Sequence, residues 1–124
     1  MNIALWIVQG ALAFVFGGSG VVKATRDRDR LFDDGITWVE DFPAVAVKGI
    51  GVLEIVAAVG LVLPALTGIA PVLTPLAAVG VALLMAGAAV VHARRGELAF
   101  IGVVAALLLA AALVAWGRFG PHAF

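Results

Sequence analysis

Four stretches of this chain, residues 3–22, 44–63, 71–91 and 98–116, each run for about 20 residues with scarcely a charge. At 1.5 Å per residue, a helix of that length crosses the ~30 Å hydrocarbon core of a bilayer. Inside lipid every backbone N–H and C=O needs a partner, which a helix supplies from within itself. Strands would need a closed barrel and an alternating pattern, and none of the four runs alternates. The pattern predicts an all-α integral membrane protein, a bundle of four transmembrane helices running up-down-up-down as one domain over residues 1–124. Composition agrees, with 64% of residues hydrophobic and only 13% charged. A soluble domain carries nearer a quarter charged residues, enough to cover its surface.

The connections set the topology. "PALTGIAP" is a short turn bounded by Pro64 and Pro71, with Thr74-Pro75 readable as N-cap and first helical position. "HARRGE" turns the third span into the fourth, its His92, Arg94 and Arg95 at a helix C-terminus where cations suit the dipole. Lys23, Arg26, Arg28, Arg30, Arg94 and Arg95 fall in the first and third connections, with Lys48 close by, whereas the other face has Arg118 alone. Positive charge stays inside. The expected placement is therefore the plasma (inner) membrane of a bacterium, with the charged loops cytoplasmic and both termini outside. Residues 1–6 lack a basic start, and the apolar run that follows is too long for a signal peptide.

The long connection, "ATRDRDRLFDDGITWVEDFP", places Phe32, Ile36 and Val39 at helical spacing, with Leu31, Trp38 and Phe42 beside them. This reads as an amphipathic segment over about 26–42, lying along the interface or against the bundle mouth. Trp38 would be its anchor and Gly35 a break. Its alternating Arg and Asp form a self-neutralising, solvated surface. Small residues recur in the spans: Gly10 and Gly17, Gly80 and Gly87, and Ala78, Ala82 and Ala86. Such stripes let helices approach closely, within one chain or between copies.

Glu54 interrupts the second span. It lies six residues beyond Lys48, about 9 Å below the interface. A lipid-facing carboxylate at that depth would cost several kcal/mol, so Glu54 is expected to face inward. Gly51, three residues earlier, shares its face and leaves room for a helix or a ligand. Lys23 and His92 end the first and third spans at the same level, so a Lys23–Glu54–His92 cluster is allowed. It reads either as a clamp fixing helix register or as a contact for a ligand, proton or cofactor. A bis-histidine haem fails on topology, because His92 and His122 fall on opposite sides. No metal site is expected, since only His92 and Glu54 could converge. The sequence identifies no catalytic residue.

The segments "FGGSGVVKAT", "WVEDFP", "GIGVLEIVAAVGLVLP" and "TGIAPVLTPLAAVGVALLMAGAAVVHARRGE", closed by a Trp-Gly-Arg end, resemble the DoxX-like family of small bacterial four-helix membrane proteins. Lys23, Gly51, Glu54, His92, Arg95 and Glu97 fall in the family's most characteristic segments. The resemblance implies a subunit linked to thiosulfate:quinone oxidoreduction or to another membrane oxidoreductase complex. With no cysteine, this chain supplies no thiol, disulfide or cysteine-held iron–sulfur cluster of its own. A bound quinone would bring its own redox chemistry. Zero net charge gives no field for nucleic acid.

Three functions remain open. One is a non-enzymatic subunit that anchors or stabilises a protein partner or homo-oligomer among membrane lipid. The second is a quinone- or lipid-binding component of an oxidoreductase system, with Glu54, Lys23 and His92 in the pocket and Trp38 over it. The third is an oligomeric transporter or channel.

Overall fold

The computed structural model describes residues 2–121, and the expectation concerning His122 lies outside them. Four long helices form the bundle: α1 (Asn2–Thr25), α3 (Ala44–Thr67), α4 (Leu73–Arg94) and α5 (Leu98–Phe119). A short α2 (Arg28–Asp33) and a 3-10 helix (Thr37–Asp41) occupy the long connection. All four long helices are long and apolar enough to cross a membrane. The described residues hold no strand.

Each long helix buries one stripe. In α1 the buried positions are Leu5, Gln9, Leu12, Phe16 and Gly20, which recur every three or four residues and so share a face. In α3 they are Val47, Gly51, Glu54, Ala57, Ala58 and Leu61, again on one face. These stripes meet Ala78, Val81 and Met85 of α4 and Val104, Ala111 and Val114 of α5 in one apolar core. The remaining faces carry exposed Ile, Leu, Val and Phe, as a surface bathed in lipid should.

The helices pack as two intimate pairs, α1 with α3 and α4 with α5, joined by sparser contact between α3 and α4. Two glycines explain the first pair. A Cβ on Gly20 would lie 2.6 Å from the Gly51 carbonyl oxygen, and one on Gly51 would lie 2.7 Å from the Ala24 amide nitrogen. The two backbones touch where only glycine fits. Gly17 makes an ordinary contact with Ala58, whereas Gly10, Gly80 and Gly87 have nothing within 4 Å of a would-be Cβ. Those three therefore pack no seam among the described residues.

Pro64 does not end the second long helix, as the sequence suggested. Helix α3 continues through it to Thr67 and closes on Gly68 in the left-handed conformation, whose N–H donates to the Pro64 carbonyl. Proline lacks the N–H that would pair with the Gly60 carbonyl four residues back. The Thr74 hydroxyl takes that role, donating to the Gly60 oxygen at 3.1 Å. Thr74 is thus not a helix cap but a fully buried link between α3 and α4, and α4 begins two residues before Pro75, at Leu73. At the next residue of α3, Gln9 of α1 donates to the Leu61 carbonyl at 2.8 Å. Helices α1 and α5 also outrun their expected ends, to Thr25 and Phe119.

The interfacial segment is two short helical pieces, broken at Gly35 as expected. Gly35, at φ +98°, turns the chain between α2 and the 3-10 helix. Leu31 and Val39 pack on Val47 of α3, while Phe32, expected on the apolar stripe, is exposed.

Candidate functional site

The charged end of the bundle holds two groups of polar side chains. The first lies inside the helices. Lys23, two residues from the end of α1, donates to Glu54 Oε1 at 2.7 Å. The Gly20–Gly51 contact makes this pairing possible, because it brings the α1 backbone beside α3 one turn before Glu54. The Glu54 side chain is 3% exposed and that of Lys23 is 14% exposed. The indole of Trp38 lies beneath the ammonium, 5.3 Å from ring centroid to nitrogen, within the range of a cation–π contact. Phe42 meets Trp38 edge to face. Glu54 Oε2 is buried and has no hydrogen-bond partner among the described residues.

The second group lies at the rim. The expected Lys23–Glu54–His92 cluster does not form as a triad, because His92 Nδ1 pairs with Glu97 Oε1 at 3.1 Å instead. The reason is local: Gly96, at φ +71°, folds the turn so that Glu97 returns beneath the end of α4, its N–H donating to the His92 carbonyl. The His92 ring also stacks on Phe100 at 5.0 Å. Glu97 Oε2 accepts from the Thr37 hydroxyl at 3.0 Å. Arg95 reaches the same Glu97 through Nε at 3.1 Å, and donates to Glu40 and Asp41 of the 3-10 helix at 2.8 and 2.6 Å. Arg94 is exposed and stands apart from this network. The His92 bond chiefly, then those from Thr37 and Arg95, hold the Glu97 carboxyl below the usual carboxylate range. The bonds to Asp41 and Glu40 raise the Arg95 guanidinium above its ordinary value.

A cleft of about 1050 Å³ connects the two groups. It runs along the sparse α3–α4 seam with walls from α1 and α5 as well, and it is apolar along most of its length. Gly80 and Gly87, with nothing within 4 Å of an added Cβ, keep the walls low, whereas Gly60 lets α3 approach Ala77 of α4. Leu53, Val56 and Leu83 at its lips are each more than half exposed, so the cleft opens sideways toward lipid. At the charged end, Ser19, Lys23, Glu54, Trp38 and His92 all line it. The Arg95 network thus fastens the segment carrying Trp38 across the end of a lipid-facing groove.

A family model described as the DoxX-like family matches residues 7–115. The chain belongs to the DoxX-like family. The match spans α3 and α4 of this multi-pass membrane protein and most of α1 and α5, with Lys23, Trp38, Gly51, Glu54, His92 and Glu97 inside it. Searches of curated proteins and of solved structures each return no match.

A further polar cluster escaped the sequence reading. At the opposite end of the bundle, Arg118 of α5 is 3% exposed and donates to Gln9 Oε1 and Asn2 Oδ1, both at 2.6 Å. Its guanidinium also lies over the Trp6 ring. The signal was present: Gln9 inside an apolar run needs a partner, and up-down topology puts Arg118 at its level. Among the described residues, no three His, Cys, Asp or Glu side chains gather into a metal-binding group.

Proposed function

We propose that this DoxX-like protein binds an amphiphile of quinone or lipid type within the membrane. Its apolar part would lie in the α3–α4 cleft and its polar head would reach Lys23 and Glu54. One observation carries this reading: a buried ion pair with a spare carboxylate oxygen forms the wall of an otherwise apolar, laterally open cleft. Ligand sites commonly have that make-up, a large apolar surface with a few convergent polar groups. Trp38 and the Arg95 network would cover the head. A pore through the single chain is disfavoured, because Leu12, Phe16, Leu61, Val81 and Val114 fill the bundle centre.

Native mass spectrometry of protein extracted from its own membrane tests this reading, with Glu54→Gln alongside. The expected result is a retained non-protein mass that weakens in the variant. An empty wild-type chain would overturn it. A second polypeptide held at fixed stoichiometry by both forms would favour the anchoring role instead. That second reading draws on Gly10, Gly18 and Gly102, which leave open backbone on the outer surface for another helix.

The charge bias further supports the inner membrane, with α2 and the α4–α5 turn cytoplasmic. Because the chain has no cysteine, Asp33→Cys and Ile69→Cys can be labelled singly in intact cells. Only the second should react with an impermeant maleimide, and the reverse pattern would invert the topology.

A further inference from the structure

We infer that the head group taken at this site is a neutral hydroxyl, and that anionic heads are refused. The inference rests on the amphiphile reading above and specifies its chemistry. Lys23 carries three N–H donors, one of which serves Glu54 Oε1, and its partly exposed side chain lines the cleft. Glu54 Oε2 beside it is a buried acceptor with no donor among the described residues, and because Glu54 lines the cleft, a small turn of its carboxylate brings that oxygen to a ligand. A ligand head is therefore offered a donor and an acceptor side by side. A hydroxyl answers both with one oxygen, accepting from Lys23 and donating to Oε2. An ether or ketone can only accept, which leaves Oε2 orphaned.

Charge sharpens the choice. Lys23 and Glu54 cancel, and the one other ionisable side chain among the described residues lining the cleft, His92, is already paired with Glu97; Arg94, Lys48 and Arg28 lie outside that lining. A phosphate or carboxylate head would enter an apolar wall with no uncommitted cation and would face the Glu54 carboxylate. Ser19, one turn before Lys23 on the same wall, adds a further hydroxyl contact and no charge.

The test uses matched probes that differ by one methyl group, offered at equal concentration to the wild-type protein in an amine-oxide detergent, which has no hydroxyl. Oleyl alcohol competes with its methyl ether, and nonylphenol with nonylanisole. Retention is read by native mass spectrometry. A hydrogen bond to a charged group predicts a preference of about tenfold or more for the hydroxyl member. Preference confined to the phenol pair assigns an aromatic head, and preference in the alcohol pair an aliphatic one. In Glu54→Gln, whose amide can present a donor in place of Oε2, the preference should fall or reverse. Equal retention within both pairs overturns the hydroxyl assignment while leaving the amphiphile site standing, with an internal water as the partner of Oε2. Displacement of the alcohols by phosphatidylglycerol overturns the charge argument. Retention of no probe at all overturns the amphiphile reading itself.

Discussion

Replacing Gly51 by Ala tests the idea that one backbone contact organises the charged end of the bundle. The added methyl would lie 2.7 Å from the Ala24 nitrogen, 2.8 Å from the Gly20 oxygen and 2.9 Å from Lys23 Cβ, where ordinary contact begins at 3.4 Å. Two of these neighbours are backbone, so no side-chain rotation relieves the clash, and α1 must move off α3 by several tenths of an ångström. Overpacking of this kind costs about 1–3 kcal/mol, offset by up to about 1 kcal/mol from the higher helix propensity of alanine. With the full offset the net destabilisation is about 0–2 kcal/mol against wild type, and about 1–3 kcal/mol against a glycine-to-alanine change that meets no clash. The displacement also strains the Lys23–Glu54 contact, since the third clash falls on Lys23 itself. Gly80→Ala is the matched control, because nothing stands within 4 Å of its new methyl. Reversible unfolding in mixed micelles, followed by circular dichroism, measures both variants. Gly51→Ala as stable as Gly80→Ala would refute the close-contact argument, and with it the account of how Lys23 comes to face Glu54.

Three further outcomes follow from the same structure. Thr74→Val should cost about 0.5–1.5 kcal/mol, within the range for interhelical hydrogen bonds in membranes. In a Pro64→Ala background, where residue 64 regains an N–H for the Gly60 carbonyl, that cost should shrink; a double-mutant cycle with zero coupling would sink the explanation. Glu54→Leu leaves the Lys23 ammonium without its carboxylate and should destabilise by about 3–5 kcal/mol, the range for orphaning one partner of a buried pair, whereas Glu54→Gln should be much milder. Glu97 has a lowered folded-state pKa, so its contribution is complete above the ordinary carboxylate value of 4.5 and disappears as pH falls through the folded value. Quenching of Trp38 in a variant with Trp6 and Trp116 replaced by Phe should therefore stay constant from pH 7 to about 5 and rise only in stronger acid; a transition near pH 6.5 would assign the rim to another group.

The four spans were legible because lipid leaves so few backbone solutions that length and apolarity nearly suffice. The Lys23–Glu54 contact could also be read, since depth along a helix is a simple count and a carboxylate at that depth has few partners. The ends of the helices could not. Pro64 looks like a terminus in one dimension, and only the approach of Thr74 from another helix explains why α3 continues through it. The partner of His92 was hidden by a turn: with Gly96 in the left-handed region, a residue five positions on becomes nearer than Glu54. In the interfacial segment Ile36 and Val39 pack as expected, and only Phe32 was misplaced, its buried position being taken by the neighbouring Leu31. Gln9 and Arg118, 109 residues apart in sequence, required both the topology and the vertical alignment of two helices.

The sideways opening of the cleft has an energetic consequence. A groove facing hydrocarbon is never empty in a bilayer: when no ligand is present, acyl chains of ordinary lipid fill it. Binding is then an exchange of one chain for another of equal apolarity, and the usual gain from removing apolar surface from water is absent. The length of the tail should matter little to affinity. Discrimination falls to the few atoms at the charged end, against a competitor present at the concentration of the solvent itself.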